Sequence, residues 1–417
     1  MSRTSNLLRG AAVAGLLGIL AGCQAEHTTG PLYTGGAMFQ SYVALGNSLT
    51  SGYQSGGIDD STQQRAFPVL LAQQFGTRFT YPSLANPGCP PPIANFQTQA
   101  RVTPPGYPPS TSTSCYLRTP TSITDVLNNV AVPGANSIDP TSILGSGPNP
   151  LTTFVLGGMT QVQRALVAKP TFATIWIGNN DILATALAGL PPAAAGITAP
   201  PTPVPTFITN YAAMMSQLIA GAPNIKGVLL GVVQVAAAPQ LFPAAALQSP
   251  AFDGGLSFAA GTAVSPAPDC LTPPGVNSLI NIQITGAIKA GLVSATIHCV
   301  KTPSALHPLD GDLFVLDAAE QATVYNTISA YNAYIKAKAD SVGFAYWDPN
   351  PVLAQLAAVP GAINYPPNLA SATQTFGTAF SLDGVHPSSS THILIANSLI
   401  DAINAKYGTS VRHVPGS

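Results

Sequence analysis

The sequence predicts an α/β fold in three layers, with helices on both faces of a central parallel sheet. Short, continuously apolar runs recur along the chain, and longer amphipathic segments lie between them. Continuous apolarity is typical of strands that are covered on both faces, and strands that alternate with helices imply a parallel sheet. Polar blocks follow the apolar runs, at the carboxyl ends of strands where such sheets carry their functional residues.

Four apolar runs are predicted to form the strands of this sheet. The first ends in Gly46 and would present Ser48 on the turn that follows it. The second precedes a polar block that begins at Gly178. The predicted strands cover residues 42–45, 173–177, 226–235 and 344–348. Trp176 and Trp347 fall in these strands and are expected to lie in the core.

Three longer segments carry apolar residues at the spacing of an amphipathic helix. They cover residues 206–220, 318–342 and 388–407. The last begins with a run of serines that can cap a helix, and Ile393, Leu399 and Ile400 lie on its apolar side. The first two reach the length that a crossover between parallel strands needs.

Four stretches rich in proline, glycine and small residues do not fit this minimal plan and are predicted to be long loop insertions. They cover residues 82–125, 183–206, 236–310 and 350–378. Because loops that leave strand ends surround the site of such a sheet, we expect these insertions to decide substrate choice. One domain, residues 41–410, is predicted to hold all the functional blocks, and residues 411–417 form a tail.

The N-terminus is typical of an exported protein. Arg3 and Arg9 precede an apolar run from Ala11 to Leu20 that is too short for a stable membrane-spanning helix. The residues that follow, Leu20-Ala21-Gly22-Cys23, resemble the lipobox of bacterial lipoproteins. The resemblance implies a signal peptide at residues 1–22, cleavage before Cys23 and lipid on its thiol, with residues 23–40 as a tether. The alternative is an ordinary secretory signal followed by a chance cysteine.

Lipid on Cys23 would place the protein in the bacterial cell envelope, anchored to the membrane by several acyl chains. Gln24 rather than Asp follows the cysteine, so the inner-membrane retention signal is missing. We therefore expect the outer membrane, on its periplasmic or its surface side.

Charge excludes one class of partner. Charged residues make up only 7% of the chain, and removal of the signal would leave 13 basic residues against 16 acidic ones. Nucleic-acid binding needs a basic patch, and no such patch is visible in this sequence. The expected partners are a small-molecule or lipid ester, as substrate, and the membrane, through the N-terminal lipid. The protein is expected to be a monomer.

Four cysteines besides Cys23 form an even set in a chain that is predicted to leave the cytoplasm. Disulfides are the natural expectation there, and three pairings are possible. The shorter loops favour Cys89 with Cys115 and Cys270 with Cys299. Zinc binding is the rival interpretation, but the CxxC spacing is missing.

Three polar blocks supply the parts of a serine hydrolase. They are Gly46-Asn47-Ser48-Leu49, Gly178-Asn179-Asn180-Asp181 and Asp383-Gly384-Val385-His386. A serine hydroxyl is a poor nucleophile at neutral pH, so a histidine must accept its proton and later protonate the leaving alcohol. His386 can do both, and Asp383 lies three residues before it, where a tight turn lets the carboxylate orient the imidazole.

These blocks, in this order, resemble those of the SGNH hydrolases, also called GDSL esterases and lipases, over about residues 41–407. The resemblance implies the flavodoxin-like fold of that family, with Ser48 as nucleophile and Asp383 and His386 from the Asp-x-x-His block. It assigns the oxyanion hole to the N–H groups of Ser48 and Gly134 and to the side-chain amide of Asn180. Gly134 closes the stretch Asn129-Val130-Ala131-Val132-Pro133-Gly134. Asn47 stands where Asp is commonest, but that position is not the proton acceptor.

The sequence therefore predicts a carboxylic-ester hydrolase that works through an acyl-enzyme on Ser48, without metal or cofactor. A glycan O-acetyl esterase or an acyltransferase could use the same triad, and a binding lipoprotein could keep the fold without catalysis. Asp181 is expected to be a structural acceptor that fixes the Asn180 loop. Packing or surface roles are expected for the other histidines, namely His27, His298, His307, His392 and His413.

Overall fold

The computed structural model describes residues 28–29, 36–117, 126–143, 150–190 and 200–416. The predicted signal peptide (residues 1–22) and Cys23 lie outside these residues, as does most of the predicted tether. None of the helices in the described ranges has the length and apolar character needed to cross a membrane.

The strands are short. In chain order they are β1 (Thr28–Thr29), β2 (Tyr42–Gly46), β3 (Phe79–Thr80), β4 (Ile93–Asn95), β5 (Ala100–Arg101), β6 (Phe172–Trp176), β7 (Lys226–Leu230), β8 (Leu241–Pro243), β9 (Ser265–Pro266), β10 (Leu279–Asn281), β11 (Thr296–Ile297), β12 (Val315–Leu316) and β13 (Ala345–Trp347).

The helices vary more in length. In chain order they are α1 (Ser48–Ser51), α2 (Asp60–Gln64), α3 (Phe67–Phe75), α4 (Pro150–Leu156), α5 (Gln161–Val167), α6 (Asn180–Ala188), α7 (Val204–Gly221), α8 (Pro250–Ala260), α9 (Ile284–Lys289), α10 (Ala318–Val342), α11 (Asn350–Ala357) and α12 (Ser389–Tyr407).

The four predicted strands form one parallel sheet, in the order β13-β7-β6-β2. A further segment extends this sheet beyond β2. Asn129 pairs with Ala44 in parallel, and the N–H groups of Val130 and Val132 donate to the carbonyls of Ala44 and Gly46. This segment runs directly into Gly134, so the sheet itself carries that glycine toward the nucleophile block.

Helices cover both faces of the sheet, which confirms the three-layer prediction. Alternate residues of a strand point to opposite faces. Val43 and Leu45 pack with α5, α7 and α10 in one buried cluster, whereas Tyr42 and Ala44 pack with α3 and α12 in another. Each strand of the pair β2 and β6 is buried along its whole length, as continuous apolarity predicts.

The three predicted helices form with nearly the predicted ends. α7 and α12 differ from their predicted ranges by one or two residues, and α10 begins and ends as predicted. Ser388 caps α12 by accepting a hydrogen bond from the Thr391 N–H. At the start of α10, Asp317 and Glu320 form a reciprocal capping box, which satisfies N–H groups that the helix leaves unpaired.

The insertion predicted at residues 236–310 is largely folded rather than irregular. Most of it builds a third hydrophobic cluster around α8 and α9, beside the antiparallel sheet β12-β10-β8. This core was not predicted, because its apolar side chains, such as Phe242 and Ile280, are separated in the sequence by many small residues and prolines. The favoured cysteine pairing is confirmed, since Cys270 is bonded to Cys299 and Cys89 to Cys115.

Two other predicted insertions also contain helices. The stretch 183–206 includes most of α6 and the start of α7, and the stretch 350–378 begins with α11. Part of the stretch 82–125 is described, and it contains the hairpin of β4 and β5. A low content of large side chains therefore does not by itself prevent a helix from forming in these stretches.

Residues at both ends of the predicted domain join its packing. Phe39, in the predicted tether, is buried and stacks on Phe75 with ring centroids 4.1 Å apart. In the predicted tail, Val414 is buried and exchanges two hydrogen bonds with the side chain of Asn397.

Candidate active site

Ser48 lies at the first position of α1, directly after the end of β2. Gly46 is required there, because a Cβ atom would lie 2.1 Å from the Thr50 Oγ1. Asn47 caps α1 by accepting a hydrogen bond from the Leu49 N–H at 3.1 Å. An aspartate can make the same cap, which explains why Asn47 can stand where Asp is commonest in the family that this sequence resembles. The strand end and the cap together place Ser48 at the carboxyl edge of the sheet, where it is largely buried but lines a cavity.

Asp383 and His386 form a hydrogen-bonded pair. The His386 Nδ1 lies 2.8 Å from the Asp383 Oδ2. The other carboxylate oxygen, Oδ1, accepts hydrogen bonds from the N–H groups of Val385 and His386, each at 2.9 Å. The tight turn predicted from the Asp-x-x-His spacing is therefore present, and it presents the carboxylate to the Nδ1 of the imidazole.

Asp383 is held in its ionised form. Burial by itself would raise the pKa of this carboxyl, but the charge of His386 and hydrogen bonds from His386 and Val385 outweigh burial and lower it to about 2. An ionised Asp383 favours the tautomer of His386 that carries its proton on Nδ1, which leaves Nε2 free to accept one.

Ser55 and Gly56, in the turn that follows α1, support the same carboxylate, Gly56 directly and Ser55 through Ser381. The Gly56 N–H donates to the Asp383 Oδ2 at 2.7 Å. The Ser381 hydroxyl donates to the Asp383 Oδ1 at 3.1 Å and accepts from the Ser55 N–H at 2.8 Å. The turn that follows the nucleophile thus holds the Asp383 carboxylate, which lies more than 300 residues away in sequence. This contact was not predicted, because no local pattern indicates it.

Gly134 and Asn180 meet beside Ser48. Gly134 has a φ of 85°, in the left-handed region that favours glycine. The Asn180 Nδ2 donates to the carbonyl of Ala135, the next residue, at 2.9 Å. Ser48, Gly134, Asn180 and His386 all line one cavity. The structure therefore brings together every residue that the sequence analysis placed in the triad and the oxyanion hole.

Asp181 fixes the Gly134 loop onto α6. Its carboxylate accepts hydrogen bonds from the Ser137 N–H at 2.8 Å and from the Ser137 hydroxyl at 2.6 Å. Burial raises its pKa to about 6, and the hydrogen bonds from Ser137 and Thr202 oppose that rise. Asp181 is a structural acceptor, since both its oxygens are occupied by the loop that carries Gly134.

The predicted strand 226–235 ends early, at Leu230. The Gly231 N–H still donates to the Trp347 carbonyl of β13, but side chains bind the three N–H groups that follow it. The N–H groups of Val232, Val233 and Gln234 donate to the side-chain oxygens of Asn332, Asn179 and Asn350, at 2.6, 3.0 and 2.7 Å. We name residues 232–235 the asparagine-bound loop. Asn179 belongs to the second polar block, so its hydrogen bond to Val233 connects that block to a wall of the site.

Two cavities meet at Ser48. We name the first, with an empty volume of about 810 Å³, the apolar cavity; it is bounded by α11, the asparagine-bound loop and the start of α12. We name the second, of about 780 Å³, the disulfide-lined cavity; Cys89, Cys115, Pro90, Tyr53 and Gly134 line it. Ser48, Asn180, Leu183 and His386 line both.

Trp176 and Trp347 are buried, as predicted, but they also line the apolar cavity. Their indole N–H groups donate to the Gly231 carbonyl and the Ser398 hydroxyl, so both rings are fixed at the bottom of the site. Tyr53 was also missed, and its ring lies 4.9 Å from that of His386. Its position just after the nucleophile block is a signal that could have identified it.

No hydrogen bond joins the Ser48 hydroxyl to His386 within the described ranges. Such bonds between nucleophile and base are commonly long without substrate and shorten in the reacting complex. The two side chains nevertheless line the same two cavities, with the oxyanion residues beside them.

His392 lies on α12, near the site but outside both cavities. It is fully buried, and its Nδ1 accepts a hydrogen bond from the Phe67 N–H at 3.3 Å. Burial, aided by the charge of His386, lowers its pKa to about 3. The packing role expected for this histidine agrees with these contacts.

His392 is expected to contribute a fall of about 2 kcal/mol in the free energy of unfolding between pH 7.5 and pH 5. Its pKa in the folded state is far below the ordinary value of 6.5, so the unfolded chain binds the proton first. The stabilisation is complete above pH 6.5 and is lost as the pH falls toward 3. Urea unfolding at both pH values measures the difference. His392→Gln keeps an acceptor without the charge and should remove it.

The exposed His413 provides the matched control, because its ring pairs with Asp401 on the surface. His413→Gln should keep the pH dependence of the unmodified protein. An identical pH dependence in His392→Gln and the unmodified protein would contradict the assignment.

The chain is similar to a family of known proteins and, at low sequence identity, to several solved structures. A family model described as GDSL-like lipase/acylhydrolase matches residues 42–399. An extracellular lipase structure from Streptomyces rimosus is 14% identical over 87% of this chain and 99% of its own, with a TM-score of 0.36. A catalytic variant of an acetylxylan esterase from Geobacillus stearothermophilus is 11% identical over 91% of this chain and 99% of its own, with a TM-score of 0.39. No curated protein matches the chain significantly.

Proposed function

The chain belongs to the family of GDSL-like lipases and acylhydrolases, and on this premise we propose that it hydrolyses carboxylic esters through an acyl-enzyme on Ser48. The observation that carries the proposal is the convergence of Ser48, His386, Gly134 and Asn180 on one cavity, with Asp383 bonded to the far side of the imidazole. These groups come from sequence positions far apart, so a shared cavity is the arrangement that catalysis requires.

In the proposed first half-reaction, His386 removes the proton of the Ser48 hydroxyl as the oxygen attacks the ester carbonyl carbon. The carbonyl π bond opens, and its electron pair forms an oxyanion. When the intermediate collapses, the bond to the alkoxy oxygen breaks and His386 returns the proton to it. The alcohol leaves, and the acyl group remains on Ser48.

In the second half-reaction, His386 deprotonates a water molecule that attacks the acyl-enzyme carbonyl. Collapse of this intermediate breaks the bond to the Ser48 oxygen, which regains a proton from His386. The carboxylic acid is released and the enzyme is regenerated. Asp383 stays ionised throughout and stabilises the imidazolium that forms in each step.

The oxyanion is proposed to accept hydrogen bonds from the N–H groups of Ser48 and Gly134 and from the Asn180 amide. One hydrogen of the Asn180 Nδ2 is bonded to the Ala135 carbonyl, which fixes the amide and leaves the other hydrogen for the oxyanion. Donors that are fixed before the reaction stabilise the developing charge without reorganisation.

Asn180→Ala is expected to lower kcat by about 10²- to 10³-fold, because one oxyanion donor is lost. The KM should change much less, since the donor acts mainly on the transition state. Steady-state kinetics on a p-nitrophenyl ester provide the measurement. Asn210→Ala is the matched control, because Asn210 donates to the Ser137 hydroxyl of the same loop but lines neither cavity. Equal losses in the two variants would contradict a role in the oxyanion hole.

Labelling with a fluorophosphonate tests the proposed function directly. The probe reacts with an activated serine, and peptide mass spectrometry should locate the adduct on Ser48. An intact protein that does not react, under conditions where a control esterase does, would overturn the hydrolase proposal.

We also propose that the mature protein is lipid-anchored through Cys23 in the bacterial envelope. The lipobox-like sequence supports the anchor, and the two disulfides support export from the cytoplasm. Cys23→Ser should release the protein into the soluble fraction of cells that express the full chain. Continued retention in the membrane fraction would contradict lipidation.

A further inference from the structure

Helix α11 has an apolar side that the protein core covers only in part, through Val352. None of its residues is buried, yet Val352, Leu353 and Leu356 are half-buried. Their spacing places them on one side of the helix. All three line the apolar cavity, so this side of α11 is a cavity wall.

The rest of the apolar cavity has the same character. Most of its other walls come from aliphatic and aromatic side chains, among them Leu49, Leu183, Val233, Ile395, Trp176 and Trp347. Among the polar residues in the lining, the Thr391 hydroxyl donates to the Ala379 carbonyl and the Asn179 Oδ1 accepts from the Val233 N–H, whereas the Asn179 Nδ2 has no partner among the described residues. Gln234, Asn180 and the reactive groups Ser48 and His386 are the other polar members of the lining. A ligand that fits must be apolar along its length and reactive at one end.

The wall is held in place by the site itself. The Asn350 side chain, at the first position of α11, accepts from the Gln234 N–H at 2.7 Å and donates to the Val232 carbonyl at 3.2 Å. The asparagine-bound loop is in turn held by Asn179, next to the oxyanion residue Asn180. The distance between α11 and the reactive groups is thus fixed by hydrogen bonds before substrate binds.

We infer that the apolar cavity binds the acyl chain of the substrate, and that α11 makes the enzyme selective for esters of aliphatic acids longer than acetic acid. The inference rests on the proposed function, because it places the ester carbonyl at Ser48. The disulfide-lined cavity, which reaches the same serine, then receives the alcohol.

The lining of the apolar cavity supports a long chain. Its aliphatic and aromatic side chains come from α1, α6, α11, α12 and the asparagine-bound loop, and an acetyl group, with a single methyl, could contact only a few of them. Burial of one methylene group contributes enough to raise kcat/KM about fourfold. We therefore expect kcat/KM to rise about fourfold with each added methylene until the chain outgrows the cavity.

A series of p-nitrophenyl esters from acetyl to palmitoyl tests this expectation, since the leaving group is the same throughout. Leu353→Trp narrows the cavity and should lower the ratio of kcat/KM for decanoyl to acetyl ester at least tenfold. Because α11 has no buried residue, this substitution does not enter the core. Leu356→Trp, on the same side of the helix, is a second variant with the same expected result. Leu306→Trp is the matched control, since Leu306 is 82% exposed and lines neither cavity.

The outcomes separate this inference from the proposed function. If no ester is hydrolysed and Ser48 is not labelled, the proposed function fails. If Ser48 is labelled but kcat/KM is flat or highest for acetyl, only the acyl-chain inference is overturned. A second series, acetate esters of alcohols from ethanol to decanol, should be insensitive to Leu353→Trp. A chain-length dependence in that series that Leu353→Trp abolishes would assign the apolar cavity to the alcohol and overturn the inference.

Discussion

Replacing Ser48 with alanine is expected to lower kcat/KM for ester hydrolysis by about 10⁶-fold, close to the uncatalysed background. Without the hydroxyl no acyl-enzyme can form, and the proton that His386 is placed to accept is missing. The oxyanion donors would remain, and on their own they leave only the small residual acceleration seen when triads are disabled.

The measurement is the steady-state rate with a p-nitrophenyl ester, together with fluorophosphonate labelling of the same preparation. Ser51→Ala is the matched control. The Ser51 hydroxyl donates to the Ser48 carbonyl at 3.1 Å within α1, but Ser51 lines neither the apolar nor the disulfide-lined cavity. It should retain activity within about tenfold of the unmodified protein, because only a local hydrogen bond is lost. If Ser48→Ala kept more than a hundredth of the activity, the nucleophile would have to lie elsewhere.

Local pattern was enough to predict the strand and the turn that lead to Ser48. The apolar run that ends in Gly46 predicted a buried strand and the turn that presents Ser48, and both are determined by residues within a few positions. The helix start at Ser48 and its cap by Asn47 are equally local, although they were not predicted. The Asp383–His386 turn, which was predicted, is also local, since its carboxylate binds N–H groups two and three residues ahead. Periodicity of apolar residues likewise predicted α7, α10 and α12.

Features that depend on contacts between distant segments could not be predicted. The early end of β7 depends on Asn332 and Asn350, about a hundred residues ahead, whose side chains bind N–H groups that a longer strand would use. The apolar cavity depends on α11, whose apolar side is normal for a helix packed on a core. Only the structure shows that this side faces the reactive serine.

The third hydrophobic cluster shows a further limit. Residues 236–310 contain few long apolar runs, and their frequent prolines and small residues predict loops. Their apolar side chains nevertheless converge, with the Cys270–Cys299 disulfide among them. Widely spaced apolar residues can build a core when a covalent link restricts the chain, because the link lowers the entropy of the unfolded state.

The support of Asp383 leads to the second large expected effect. Asp383→Asn should lower kcat by about 10⁴-fold, because a neutral amide no longer favours the tautomer of His386 that accepts the Ser48 proton. The Asp383 Oδ2 accepts from both His386 and the Gly56 N–H, and Oδ1 accepts from three further donors. An asparagine side chain has one oxygen, so it can accept from the donors at Oδ1 or from those at Oδ2, but not from both. Its NH₂ group would then face the N–H donors at the other position.

The same variant should also be less stable at neutral pH. The folded state lowers the pKa of Asp383 to about 2 from an ordinary value of 3.8, so the ionised carboxylate stabilises the folded state by about 2 kcal/mol above pH 4. This stabilisation is lost as the pH falls through 2. Asp383→Asn removes it, and urea unfolding at pH 7 measures the loss.

Asp401→Asn is the matched control for both measurements. Asp401 pairs with His413 at 2.8 Å, the same distance as the Asp383–His386 pair, but its side chain is 68% exposed and lines neither cavity. An exposed pair contributes little to stability and nothing to the reaction, so this variant should match the unmodified protein in both assays. If Asp383→Asn retained a tenth of the activity, orientation of His386 would have to come from another group, and Tyr53, whose ring packs against it, would be the first residue to replace.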